Sequence, residues 1–330
     1  DRLIELWGIA GLIHDLGHGP YSHLYDDKII KPKEPKHEKR GLDIFTQMIS
    51  KYKIDIAAPE MAIIMSMVEP TGDEKYQWQY QIVANKQNQI DVDKIDYIQR
   101  DCYHVGLKCS GDYSRIIEDV RVGTTEIDGK VQNILCWPSK INFEIFSLFS
   151  TRYRLHKQIY SHHAIKGYEL LLVPLIRNLL TKEKIAFNDL TDEIVLYKAK
   201  EMIKNNFGEN DEKDEKDEND EKYEIILRKL QFREQPKLLE EKTMRYDKDK
   251  DKIDEWCQKV YDKYRIYENN ESFQIVKTVI GFAGGRTPNP LEHVYYYNDN
   301  AMNIKKLNPG EQSFMITNVC KEIILRVYQM

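Results

Sequence analysis

Apolar residues recur at helical spacing along most of the chain, and strict alternation is confined to short stretches. Residues 3–13 (LIELWGIAGLI) form an apolar run of helical length, interrupted by Gly17, Gly19 and Pro20. Residues 3–16, 41–52, 59–68, 90–103, 140–180 and 193–205 read as helices on the same grounds. Asp128 and Gly129 mark a hairpin turn between VRVGTTEI and VQNILCW. Residues 273–282 and 293–298, rich in β-branched and aromatic side chains, read as strands, with Tyr295, Tyr296 and Tyr297 on mixed faces rather than forming a stacking platform. The pattern predicts a mostly α fold: a helical core with a small β-hairpin and a smaller C-terminal α/β lobe packed on it.

Composition refines the boundaries. A chain of 330 residues with 41% hydrophobic content can bury a large core, as one large or two smaller domains. Residues 209–222 (ENDEKDEKDENDEK) carry a net charge of −6 against −5 for the whole chain, so the remainder is nearly neutral. A tract without apolar residues cannot bury surface, which predicts a disordered loop. The expected division is therefore a helical core over 1–205, an acidic disordered insertion over 206–224 and a C-terminal α/β lobe over 225–330. The segment from Glu241 to Glu255, dense in balanced charge, reads as a solvated connector. Five cysteines without a CxxC pair argue for a reducing compartment, and no apolar run approaches the roughly 20 residues of a membrane span. An intracellular location, nucleus or cytoplasm, without a membrane partner is the expectation.

The chemistry concentrates in three places. HDLGHGPYSHLYD, from His14 to Asp26, packs three histidines and two aspartates into thirteen residues, and His37 and Glu38 follow. Adjacent His14 and Asp15, placed in the last turn of the first helix, can ligate one divalent cation. His18 falls on the loop beyond, and Pro20 is placed to start a short helix carrying His23 and Asp26. Histidines near a metal but not bound to it serve proton transfer and phosphate binding. In QIDVDKIDYIQRDC, residues 89–102, Asp93, Tyr97 and Asp101 share one helix face with Lys94 beside them. Arg152, His156 and Tyr160 repeat that spacing, with His162 and His163 next to them. A single histidine is most often a hydrogen-bonded core or surface residue, and a polar helix face is usually just solvated. Three one-sided polar helices together argue for a shared pocket.

The strings HDLGHGPYSH, His37-Glu38, NKQNQIDVDKIDYIQRDC, TRYRLHKQIYSHH, NPLEHVYYYN and ILRVY resemble the HD-domain dNTP triphosphohydrolases of the eukaryotic type that carries a sterile-alpha-motif domain ahead of the HD domain. The resemblance covers most of the chain outside about 180–270, where it is patchy. It implies attack of water on the α-phosphorus of a dNTP, releasing nucleoside and triphosphate with the help of a divalent metal (Mn, Fe, Mg or Zn). It implies that His14, Asp15 and Asp93 are metal ligands and that His18 and His37 surround the α-phosphate and its water, with Asp26 orienting one of them. By the same resemblance His23 protonates the leaving 5′-oxygen. Lys94, Tyr97 and Arg152 would meet phosphates, Asp101 the sugar 3′-hydroxyl, and Tyr160 would crowd the 2′ position; His156 and His162 complete the substrate-facing set.

The resemblance further implies activation by GTP or dNTPs bridging subunits from dimer to tetramer, with Arg115, Lys140, Arg233 and Lys237 at the activator phosphates. The pattern is incomplete here: Pro138, Gln158 and Asp299 stand where the family has basic residues, and His163 replaces a lysine. A further metal-binding histidine lies in the family upstream of the HD pair, so the chain reads as a piece of a longer protein whose isolated metal affinity is weakened. The alternative function is a non-catalytic member that binds nucleotides or single-stranded nucleic acid through Arg115, Arg233, Lys237 and tyrosines. A binding protein has no use for His18, His23 and His37 together, which favours the enzyme. A cyclic-nucleotide phosphodiesterase does not explain the Arg and Tyr of the third helix.

Overall fold

A computed structural model describes residues 2–182, 185–206, 218–265, 273–282, 289–298, 304–307 and 321–330. The chain is mostly helical with a small β component, as the hydrophobic pattern predicts. The N-terminal part is built from α1 (Arg2–Ile13), α2 (His37–Tyr52) and α3 (Ala58–Val68), which bury Leu6, Ala10, Phe45, Ile64 and Met67 against one another. Between α1 and α2 lies a π-helical turn, Tyr25–Ile29.

Next come α4 (Val92–His104), α5 (Ser114–Glu118), β1 (Arg121–Ile127) and β2 (Lys130–Pro138). Asp91 starts α4 by accepting the Lys94 amide at 2.9 Å. The β1–β2 hairpin turns through Asp128 (φ 53°) and Gly129 (φ 76°), the two left-handed positions that a tight primed turn demands. Helix α6 (Asn142–Leu155) runs into a second π-helical turn, His156–Tyr160, and then α7 (His163–Lys182). The inner faces of α4 and α6 close a core around Ile98, Trp137, Ile145, Phe149 and Tyr296.

Helices α8 (Asp192–Asn206) and α9 (Glu218–Gln231) pack on α7, burying Leu171, Leu175, Ile176, Val195 and Ile226. Strand β3 (Lys237–Arg245), α10 (Lys250–Arg265), β4 (Phe273–Gly281), β5 (Tyr295–Tyr297), β6 (Lys305–Lys306) and β7 (Lys321–Gln329) complete the chain. One antiparallel sheet has the order β3-β7-β4, with α10 covering Ile323 and Leu325. The second, β1-β2-β5-β6, ties the hairpin to β5 through the parallel pair Trp137 and Tyr296.

Five expectations are corrected. Helix α1 stops at Ile13, so His14 and Asp15 stand in the turn just past it. Pro20 does not open a helix, because Tyr21 (φ 60°) and Ser22 (φ 52°) are left-handed and helical structure resumes at His23. The single helix expected over 140–180 is broken at the π-turn and Ser161. Residues 241–255 are the end of β3 and the start of α10, because Met244 and Ile253 bury into the sheet's apolar layer. Of the acidic insertion, 207–217 lies outside the described residues, while Glu218 to Glu224 form the first turns of α9, continued into helix by Tyr223, Ile226, Leu227 and Leu230 at apolar spacing. Strand β3 and helices α9 and α10 have no counterpart in the pattern reading.

Candidate active site

Close backbone contact sets the first elements of the site. A Cβ on Gly17 would lie 2.0 Å from the His37 carbonyl oxygen and 2.3 Å from the Gly41 nitrogen, so only glycine lets the turn after α1 lie directly on the start of α2. That contact brings the His14–His18 turn beside His37. Across the gap, α4 presents Asp93.

His14 Nδ1–H donates to the Gly11 carbonyl at 2.7 Å, which turns Nε2 toward Asp93 Oδ1 at 3.2 Å and Asp15 Oδ2 at 3.3 Å. Hydrogen bonds to Asp15, and then Asp93, hold the His14 imidazole's pKa up to about 11. Hydrogen bonds from His14 and His18 pull the Asp15 carboxyl well below its usual range. The donor atoms of His14, Asp15 and Asp93 lie within 4.8 Å of one another, and so do those of Asp15, His18 and His37. One imidazole and two carboxylates of that spacing fit a divalent cation, with the remaining positions open to solvent or substrate.

Around this set the histidines are tied down by carboxylates. His18 Nδ1 meets Asp26 Oδ2 at 2.7 Å while its Nε2 faces Asp15 at 3.4 Å. The same Asp26 oxygen stands 3.3 Å from His37 Nδ1, and the His18 and His37 rings stack at 4.0 Å. Burial works against a charge on His18, but Asp15 and Asp26 outweigh it and its pKa rises. Burial depresses His37, and the neighbouring His18 charge adds to that despite Glu38. His23 contacts His18 edge-on at 5.0 Å.

The far wall comes from α4 and α6. Lys94 is 7% exposed and Arg152 is 8% exposed, two buried basic side chains near enough for Arg152 to act on Lys94. Burial, reinforced by Arg152, lowers the Lys94 pKa, and burial pushes the Tyr97 hydroxyl up to about 12. Arg152 donates to the Gly281 carbonyl at 3.0 Å. His156 is pushed down to about 3 by burial and then by Arg152, His23 and Lys94. The Tyr160 hydroxyl donates to Asp101 Oδ2, and burial together with that carboxylate raises its pKa strongly.

Most residues singled out in the sequence therefore converge. His162 does not: it is exposed, its ring lies against His163, and the charges around it are those of His163, Arg326 and Glu241. The π-turn and Ser161 reset the helical phase and carry it off the pocket face. Arg115 pairs with Glu144 and approaches Asp119 at 4.0 Å, with Lys140 exposed just ahead of α6. Arg233 and Lys237 are exposed between α9 and the start of β3. Asp299 and Cys320 lie outside the described residues; the other four cysteines are free thiols.

Sequence reading missed Arg40. It is 8% exposed and donates to the Gly17 carbonyl at 2.9 Å, to the Pro35 carbonyl at 2.6 Å and to Asp26 Oδ1. Its position three residues beyond His37 on α2 was the available signal. Asp91, whose pKa burial raises, was missed as the support of α4.

No family model matches the chain. It is 28% identical to an HD domain-containing protein of Acanthamoeba polyphaga mimivirus, an alignment covering 97% of this chain and 73% of that protein. It is 26% identical to the deoxynucleoside triphosphate triphosphohydrolase SAMHD1 of Mus musculus, over 97% of this chain and 55% of that one. The SAMHD1 homolog of Dictyostelium discoideum is 34% identical over 50% of this chain and 31% of its own length. The chain thus spans about half or less of these triphosphohydrolases. Its homologues, at modest identity, are SAMHD1-type triphosphohydrolases and an HD-domain protein, in keeping with the resemblance carried by the motifs. No described helix is long and apolar enough to cross a membrane.

Proposed function

We propose that the protein hydrolyses deoxynucleoside triphosphates to deoxynucleoside and triphosphate with a divalent metal. The observation that carries this reading is the convergence, in one pocket, of the His14–Asp15–Asp93 donor set, the Asp26-tied histidines and the buried Lys94 and Arg152. The names of the relatives support the substrate class.

His14, Asp15 and Asp93 would hold the metal, which when bound acidifies water and draws charge from phosphoryl oxygens. His18 and His37, fixed through Nδ1 by Asp26, present their Nε2 atoms to the α-phosphate and the attacking water. Arg152 and Lys94, whose ammonium form burial and Arg152 disfavour, gain most when the negative charge of a triphosphate enters beside them. Water adds to the α-phosphorus and gives up a proton to the His18–His37 pair beside it, the bond to the 5′-oxygen breaks, and His23 supplies the proton to that oxygen. Asp101 receives the sugar 3′-hydroxyl in exchange for Tyr160, whose ring then crowds the 2′ position. Arg115, Lys140, Arg233 and Lys237 would serve GTP or dNTP activators that draw subunits into dimers and tetramers. Pro138, Gln158 and His163 remove family cations from that set, so assembly requires more nucleotide than in relatives that keep them, or a different activator. Such an enzyme works inside the cell, in nucleus or cytoplasm.

Product chromatography on the full-length protein tests the reading. Nucleoside and triphosphate should form only with a divalent cation, and Asp93→Ala should abolish turnover together with bound metal. Nucleotide binding without any product, with metal present, would instead favour the binding-only alternative. Wild-type rates after chelation or in Asp93→Ala would remove the metal assignment.

A further inference from the structure

A groove of about 1030 Å³ lies between α7, α9, α10 and the C-terminal sheet and shares no lining residue with the histidine pocket. Gln274, Ile275, Val276 and Lys277, consecutive on β4, all line it. Successive side chains of a strand point to opposite faces, so a groove touching all four runs along the strand's edge rather than over one face. Among the described residues β4 pairs only with β7, which leaves that edge's backbone groups without a partner strand. An open edge of this kind is a template for another strand.

The groove's charge says what that strand is. Lys28, Arg177, Lys222 and Lys229 stand along the walls, and among the described residues no carboxylate pairs with Lys28, Lys222 or Lys229. Elsewhere in the lining, Lys166 is matched by Glu169 at 2.5 Å, and Lys277 approaches Asp254 only at 3.9 Å. In a chain of net charge −5 this is a segregated cationic surface. Apolar side chains lie between the cations, with Ile225 49% exposed and Tyr261 52% exposed. A second copy pairing edge to edge would set like charge against like charge. Single-stranded nucleic acid needs successive aromatic platforms, and among the described residues Tyr261 is the one aromatic ring in this lining.

We propose that β4 and this groove receive an extended acidic segment of a partner protein, added as a further strand with carboxylates against the lysines and apolar side chains in the groove. The probe is a fluorescein-labelled peptide of about eight residues, a usual strand length, alternating Glu and Val. Its binding to the full-length protein is read by fluorescence anisotropy and by amide hydrogen exchange. Saturable binding that weakens with salt is expected, with new protection confined to Phe273–Gly281. Lys222→Glu with Lys229→Glu should weaken it at least about tenfold while the melting transition is kept. N-methylation of alternate peptide amides should abolish it without touching the protein. Equal binding of the N-methylated peptide, an unaffected double variant, no binding to the wild type, or displacement of the peptide by oligothymidylate would each overturn the proposal.

Discussion

The histidine pocket and the β4 groove both gather charge, but they hold it in opposite ways. Around Asp26 the pocket's charged side chains are fixed to within a hydrogen-bond length: Asp26 holds His18 at 2.7 Å and His37 at 3.3 Å, and Arg40 closes on Asp26 from behind. In the groove Lys28, Lys222 and Lys229 have no carboxylate partner among the described residues, Lys28 and Lys222 exposed and Lys229 half-buried, and the outer edge of β4 has no partner strand there. A network closed on itself orients groups for chemistry and loses heavily when one member goes. An open set of cations waits for charge from outside and contributes little to the fold alone. The comparison can be broken at either end.

The largest effect is expected at Arg40. Replacing it by Met strands Asp26 and leaves the Gly17 and Pro35 carbonyls without a donor, and breaking a buried pair costs about 3–5 kcal/mol. The nearby imidazoles of His18 and His37 compensate Asp26 in part, so the lower end, about 3 kcal/mol, should appear in denaturant unfolding. Arg40→Lys should recover only part, since it restores charge but not the fork that reaches three acceptors. Arg40→Met combined with Asp26→Asn should cost less than the sum of the single variants. Strict additivity would show that Arg40 and Asp26 do not act as a unit.

His156 tests the pocket through pH. Its pKa is pushed down to about 3 when folded, against an ordinary value near 6.5. Below about 6.5 the unfolded chain takes up a proton that the folded chain refuses, so this residue erodes stability as pH falls toward 3 and has no effect above 7. At pH 5 the loss is about 2 kcal/mol, and His156→Gln should remove that part of the acid limb. Superimposable stability profiles for the variant and wild type between pH 7 and pH 5 would show that His156 is not held neutral.

How much of this was visible beforehand depends on whether the signal is local. The His14–Asp26 run is compact in sequence, and its members meet because one turn on Gly17 lies against α2. Asp93, Tyr97 and Asp101 share a face by simple periodicity, and the Asp128-Gly129 hairpin follows from backbone preference. Arg40 carries no such mark, since only the tertiary approach of Gly17 and Asp26 gives its fork something to hold. His162 was misplaced because helical phase was carried across a π-turn that adds residues without completing the expected turn. In the C-terminal lobe, charge density hid Met244, Ile253 and Cys257, whose burial depends on strands distant in the chain.

Tyr160 probes what the pocket selects rather than what holds it together. Its ring contacts His156 edge-on at 4.8 Å and its hydroxyl occupies Asp101. Tyr160→Ala should admit ribonucleotides, raising their binding relative to deoxynucleotides by about tenfold, the worth of about 1.4 kcal/mol of removed crowding. Tyr160→Phe keeps the ring and frees only Asp101, so its selectivity should stay near wild type. Equal selectivity in all three proteins would take Tyr160 out of the sugar gate.

The smallest effect is expected from the groove lysines in the absence of a partner. Lys222 and Lys229 have no carboxylate partner among the described residues, so exchanging either for Gln removes no ion pair and opens no cavity. The melting temperature of each variant should move by no more than about 2 °C, as for substitutions that break no buried network. The sign is informative. Lysines crowded on one wall repel one another, so Lys222→Gln should leave stability equal or slightly higher, with the gain vanishing as salt is raised, whereas Lys229→Gln also removes a cation from the last turn of α9 and should cost about 0.3–1 kcal/mol. A clear loss from Lys222→Gln would mean that this cation already holds a structural partner, and the contrast between a closed pocket and an open groove would fail.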